Sequence, residues 1–168
     1  MRLIASPTTG RYYCRVLRII VGGIHLLALA VGLGAVLFRA ASLSETATAA
    51  SVRRALRADI DWGVAAGVWV VTGLWRYLGG LEKEMSFYNH NAAFLAKMGL
   101  FVLILALEIW PMVTLIKWRV ALAGGASPEV VAVRSTALRI ATISRIEALL
   151  VIAMVFLAVA MARGFGSG

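Results

Sequence analysis

The stretch from Ala92 to Lys117 is apolar over a bilayer-crossing length, yet Lys97, Glu108 and Pro111 lie within it. A hydrocarbon core about 30 Å thick asks for about 20 apolar residues in a helix. Backbone groups at that depth have no water to bond to, so a run of this kind is helical. Ionisable side chains inside it are costly and mark either function or close pairing. The remainder of the chain reads as three more apolar helices gathered around this one, and the fold expected is an all-α integral membrane protein, an antiparallel four-helix bundle.

Composition agrees. Of the 168 residues, 61% are hydrophobic, well above the roughly 45–50% of soluble domains. The net charge of +9 comes from arginines placed mostly at the ends of apolar runs. That placement points to the lipid bilayer and its anionic headgroups rather than to nucleic acid. The lone Cys14 excludes an internal disulfide, and no Cys-x-x-Cys-His is present for covalent haem attachment. Two histidines and one cysteine do not close a zinc site. The sequence carries no nucleotide, phosphate or zinc-protease motif.

Along the chain, residues 1–18 form a basic lead with Arg2, Arg11, Arg15 and Arg18, and residues 19–164 form one membrane domain. The first apolar run, Ile19 to Phe38, is too long for a signal-peptide core, although Ala47-Thr48-Ala49 resembles a cleavage site, so a retained span is expected. Ser51 to Asp61 reads as a surface helix leading into a second span that ends at Gly79-Gly80. The loop Glu82 to Asn91 is acidic and offers Asn89 or Asn91 as a helix cap. Pro111 frees the carbonyl of Leu107 beside Glu108 and predicts a kink. Ser127-Pro128-Glu129 starts a last helix, expected to run unbroken to Ala162 and to project from the membrane. The four spans are expected near 19–39, 62–79, 92–117 and 146–163. The arginine distribution then favours termini outside the cytoplasm.

Within this frame, His25, Gly32 and Arg39 recur every seven residues and share one stripe of the first helix. Lys97 and Glu108 share a face of the third but lie roughly 16 Å apart, so each needs another partner. His25 and Lys97 stand at similar depth near the terminal side. Glu108 is expected to meet Arg39 or Arg145, or to share a proton with Asp61 or Glu147. Ser144-Arg145-Ile146-Glu147 has capping-box spacing, but the helix begins earlier, so Glu147 is expected to face Arg39, Arg145 or Asp61 across the bundle.

The order of short motifs resembles a bacterial family of predicted four-span membrane proteins of unknown function. It comprises His25-Leu26-Leu27, Phe38-Arg39, Asp61-Trp62-Gly63, Thr72-Gly73-Leu74 with Arg76, Phe87-Tyr88 with Asn91, Phe94-Leu95-Ala96-Lys97, Arg145-Ile146-Glu147 and Met161-Ala162-Arg163-Gly164. More distantly, the chain is similar to the HemJ-type protoporphyrinogen oxidases, small four-helix haem-binding membrane proteins. His25, Ala96-Lys97 and Glu147 match that pattern, whereas Glu108 stands where those proteins have a second histidine and Arg145-Ile146 replaces the residues before the glutamate. The resemblance implies a shared bundle with an intramembrane polar site. It makes haem b the cofactor to test, with His25 as iron ligand, Arg18, Arg76 or Lys97 at the propionates, and His90 as the remaining histidine. The alternative is a non-enzymatic partner subunit, a homo-oligomer or a small transporter element whose buried charges fix packing or carry protons.

Overall fold

The computed structural model describes residues 7–44, 48–79 and 90–165, with side chains from Arg15 onward. The acidic loop up to Asn89 and the first six residues lie outside the described residues. Among the described residues there is no strand. The elements are α1 (Pro7–Ser44), α2 (Ala49–Leu78), α3 (Ala92–Ala123), the single turn α4 (Pro128–Val131) and α5 (Arg134–Ala162). Three helices are long and apolar enough to cross a membrane, over Arg15–Ser44, Ala92–Ala123 and Arg134–Ala162. α2 has 30 residues, but its first half carries Arg53, Arg54, Arg57, Asp59 and Asp61, which keeps it below that measure of apolarity.

Helix ends follow local chemistry. Thr48 and Ser51 form a reciprocal capping box at the start of α2, with the Thr48 hydroxyl accepting from the Ser51 amide and the Ser51 hydroxyl from the Thr48 amide. Asn91 caps α3 by accepting from the Phe94 amide at 3.0 Å, and its side-chain amide donates to the carbonyl of Phe165 past the end of α5. α3 continues through the buried Pro111 to Ala123. It stops at Gly124-Gly125, where Gly125 adopts φ +89°, a turn conformation that side chains disfavour.

α1 is continuous from Pro7 to Ser44 and thus runs through Arg11, Arg15 and Arg18. Proline suits its first position. Two expectations are corrected. Ser51 to Asp61 is not a surface helix but the opening of α2, with Ser51, Val52, Ala55, Leu56 and Ala58 buried. The last helix is broken at Ala132 and Val133, whose ψ values of 70° and 130° leave the helical region. The β-branched run Val130, Val131, Val133 weakens helix propensity there, and the break sinks Ala132 into a cluster with Leu43, Val52 and Trp118.

α1 packs along most of α2 and also on α5, while α3 lies mainly on α5. The interior is layered. One apolar layer joins Leu43, Leu56, Leu115 and Ile140, and a second joins Val36, Trp62, Ile104 and Val151. Between them in the sequence of each helix fall Arg39, Asp59, Glu108 and Glu147. Many outward positions are apolar and exposed, among them Leu27, Val64, Val102, Leu149 and Phe156, the surface a lipid environment would cover.

Candidate functional site

The polar layer is built on one side chain. Arg39 is completely buried and its guanidinium reaches three helices. Nε donates to Ser144 Oγ at 2.9 Å, and Nη1 donates to Asp59 Oδ1 at 3.0 Å. Nη1 and Nη2 together grip the Glu108 carboxylate at 2.7 Å each, and Nη2 also donates to Glu147 Oε2 at 2.8 Å. This uses all five N–H donors that a guanidinium owns. Asp59 passes its second oxygen to Arg119 Nη2 at 3.1 Å, and Arg119 also donates to the Leu56 carbonyl. Glu147 is fully buried, and its Oε1 has no hydrogen-bond partner.

The structure therefore brings together Arg39, Glu108 and Glu147 from the expected set. It leaves out the other two. Asp61 is exposed and lines a shallow apolar groove with Ile24, Leu27 and Val64. Its expected place is taken by Asp59, because two residues turn a helix by about 200° and carry the side chain to the opposite face. Arg145 is also exposed and donates to Ser44 Oγ rather than to Glu108. Its neighbour Ser144 faces Arg39 instead. Asp59, Ser144 and Arg119 were missed by sequence reasoning. Asp59 was detectable, since it lies on the stripe Val52, Ala55, Asp59, Trp62, Ala65 that α2 buries, whereas Asp61 lies off it.

Toward the other end of the same helices, His25 turns to α2. Gly32 permits this approach, since a Cβ there would stand 3.1 Å from the Trp62 ring. His25 Nδ1 lies 2.9 Å from Thr72 Oγ1 and 3.1 Å from the Trp69 carbonyl. The Thr72 hydroxyl proton is engaged by the Val68 carbonyl at 2.7 Å, so Oγ1 accepts from His25. The proton is thereby assigned to Nδ1, which in the neutral imidazole puts the lone pair on Nε2. Trp69 stacks on the imidazole with ring centroids 5.4 Å apart, and Gly73 leaves room at its edge, where a Cβ would meet Cε1 at 3.2 Å.

His25 lines a cavity of about 340 Å³ together with Arg76, Tyr77, Phe94, Lys97 and Met161. Lys97 Nζ lies 5.3 Å from the centre of the Phe94 ring, which itself stacks on Tyr77. One basic imidazole, two cations and aromatic walls converge from α1, α2 and α3, with Met161 from α5. That volume is within the lower part of the range of ligand sites. Arg18 is exposed and His90 is exposed, and neither lines the cavity. The other soft donors at the wall are the thioethers of Met98 and Met161.

Among the described residues no group of three or more histidine, cysteine, aspartate or glutamate side chains is arranged to hold a metal ion. No curated protein and no solved structure matches the chain. Its apolar helices and its sequence agree on the same assignment: a family model matches residues 17–166, and the chain belongs to the family described as Predicted membrane protein (DUF2214).

Proposed function

We propose that this protein is a bacterial inner-membrane antiparallel four-helix bundle that holds a flat, anionic, largely apolar ligand at His25, with haem b as the ligand to test first. Residues 1–18 serve as a basic lead to the membrane domain 19–164, and α2 supplies the fourth span, its Arg53, Arg54 and Arg57 resting among anionic headgroups. The termini lie outside the cytoplasm. The observation that carries the reading is the convergence of His25, Arg76 and Lys97, from separate helices, on one aromatic-walled cavity.

The donor chemistry fits the group. His25 would hold the iron through Nε2, with Thr72 and the Trp69 carbonyl fixing the ring as neighbours of a metal-ligating histidine do. Arg76 and Lys97 would hold the carboxylates. Met98 or Met161, rather than His90, would complete the coordination. When bound, the group supplies one-electron redox chemistry; the chain supplies orientation, counter-charge and exclusion of water.

The test is the visible spectrum of protein purified in detergent and titrated with haem b. Binding should give a Soret band that His25→Ala removes and that Lys97→Ala or Arg76→Ala weakens. A wild-type protein that shows no Soret shift during the titration would overturn the haem assignment. The second reading, a non-enzymatic partner subunit, homo-oligomer or small transporter element, is favoured by the buried Arg39 layer. It predicts function without any coloured ligand.

A further inference from the structure

The Arg39 layer contains more acid than it can neutralise. Three carboxyl groups face it, from Asp59 on α2, Glu108 on α3 and Glu147 on α5, while the cations are Arg39 and, through Asp59, Arg119. Asp59 divides its oxygens between the two arginines. Arg39 is then left with Glu108 and Glu147, both of which accept from the same nitrogen, Nη2, at 2.7 and 2.8 Å. Two carboxylates side by side against one guanidinium leave one negative charge over, in a site where like charges are poorly screened.

The surplus has a location. Glu147 Oε1 is buried with no hydrogen-bond partner, an arrangement that is costly for an ionised oxygen. The other charged groups nearby do not relieve it: Asp61 and Arg145 point outward. From this geometry we propose that Glu108 and Glu147 form a proton-binding pair, holding one exchangeable proton between two carboxyl groups on Arg39. With that proton the layer is neutral, with Asp59 against Arg119 and the protonated pair against Arg39.

Side-chain exposure rises from 0% at Glu147 to 16% at Glu108, and Arg119, 41% exposed, stands beyond Asp59. The pair exchanges its proton through Glu108, the end nearer the surface. It does not depend on the His25 cavity, which lies about 21 Å away along α1 by helix rise, so either reading can fail alone.

The test is infrared spectroscopy of the full chain in nanodiscs, following the carbonyl stretch of protonated carboxylic acids through a pH titration. Wild type should show one such group per chain at neutral pH, losing its proton as pH rises. Either Glu147→Gln or Glu108→Gln should remove the band, because the remaining carboxylate is then matched by Arg39, whereas Asp61→Asn should leave it unchanged. If the glutamine variants do not fold, wild type grown with ¹³C-carboxyl glutamate must shift the band. The proposal is overturned if wild type shows no protonated carboxyl at neutral pH, if the band survives both glutamine substitutions, or if only labelled aspartate shifts it.

Discussion

Replacing Arg39 with methionine keeps much of the side-chain volume but deletes the five hydrogen bonds that hold α1 to α2, α3 and α5. Packing loss is small for a swap of similar shape, so the cost comes from the carboxyl groups left behind, of which Glu147 is wholly buried. Removing one partner of a buried ion pair costs about 3–5 kcal/mol. At roughly 2–4 °C per kcal/mol for a chain of this size, the midpoint of thermal unfolding should fall by roughly 6–20 °C. The companion is the triple variant R39M/E108Q/E147Q, in which the surplus charge leaves with the cation. Neutral replacement of a whole buried ionic group is often harmless, so the triple variant should recover most of the loss. Both can be followed by circular dichroism in a detergent that permits reversible unfolding. A single variant within about 1 kcal/mol of wild type, or a triple variant no better than the single, would refute the view that Arg39 is held in place by neutralising buried carboxylates.

Three further outcomes test the register, the contact between α1 and α2, and the cavity. Asp59→Asn should cost about 1–3 kcal/mol, because it weakens bonds to two guanidinium groups, while Asp61→Asn should stay within about 0.5 kcal/mol; thermal unfolding of the pair reads the difference. Gly32→Val drives a side chain against Trp62 and should cost about 1–3 kcal/mol. Gly34→Ala meets nothing within 4 Å and should be neutral or stabilise by up to about 1 kcal/mol; equal melting shifts for the two would refute the close approach. Thr72→Val removes one acceptor of the His25 Nδ1 proton and should weaken haem b binding about tenfold or more, measured by Soret titration, with the melting temperature little changed.

The depth of charges along apolar runs made much of the interior legible. Arg39 was among the partners foreseen for Glu108, and their bidentate contact is what an isolated intramembrane carboxylate demands. His25 and Lys97, placed at equal depth by their distance from helix starts, do line one cavity. What depth does not encode is azimuth. Arg145 and Asp61 lie at the right level but on the wrong side of their helices. Their neighbours Ser144 and Asp59 carry the contacts, and the periodicity of the buried stripes was the signal that separates them. The break at Ala132 was not legible, because Val131-Ala132-Val133 contains no breaker and the deciding factor is the burial of Ala132 among residues from α1, α2 and α3.

The layer centred on Arg39 also has a history, set by the order in which a ribosome delivers its members. Its first counter-charge, Asp59, follows Arg39 by 20 residues, whereas Glu108 and Glu147 follow by 69 and 108. At about 5–20 residues per second, the guanidinium waits several seconds for the glutamates that will hold it. During that interval the only acid of the finished layer within reach is on the helix synthesised next. The first two helices can therefore leave the translocon as a neutralised pair, and the aspartate that divides its oxygens between two arginines in the mature protein begins as the sole escort of one.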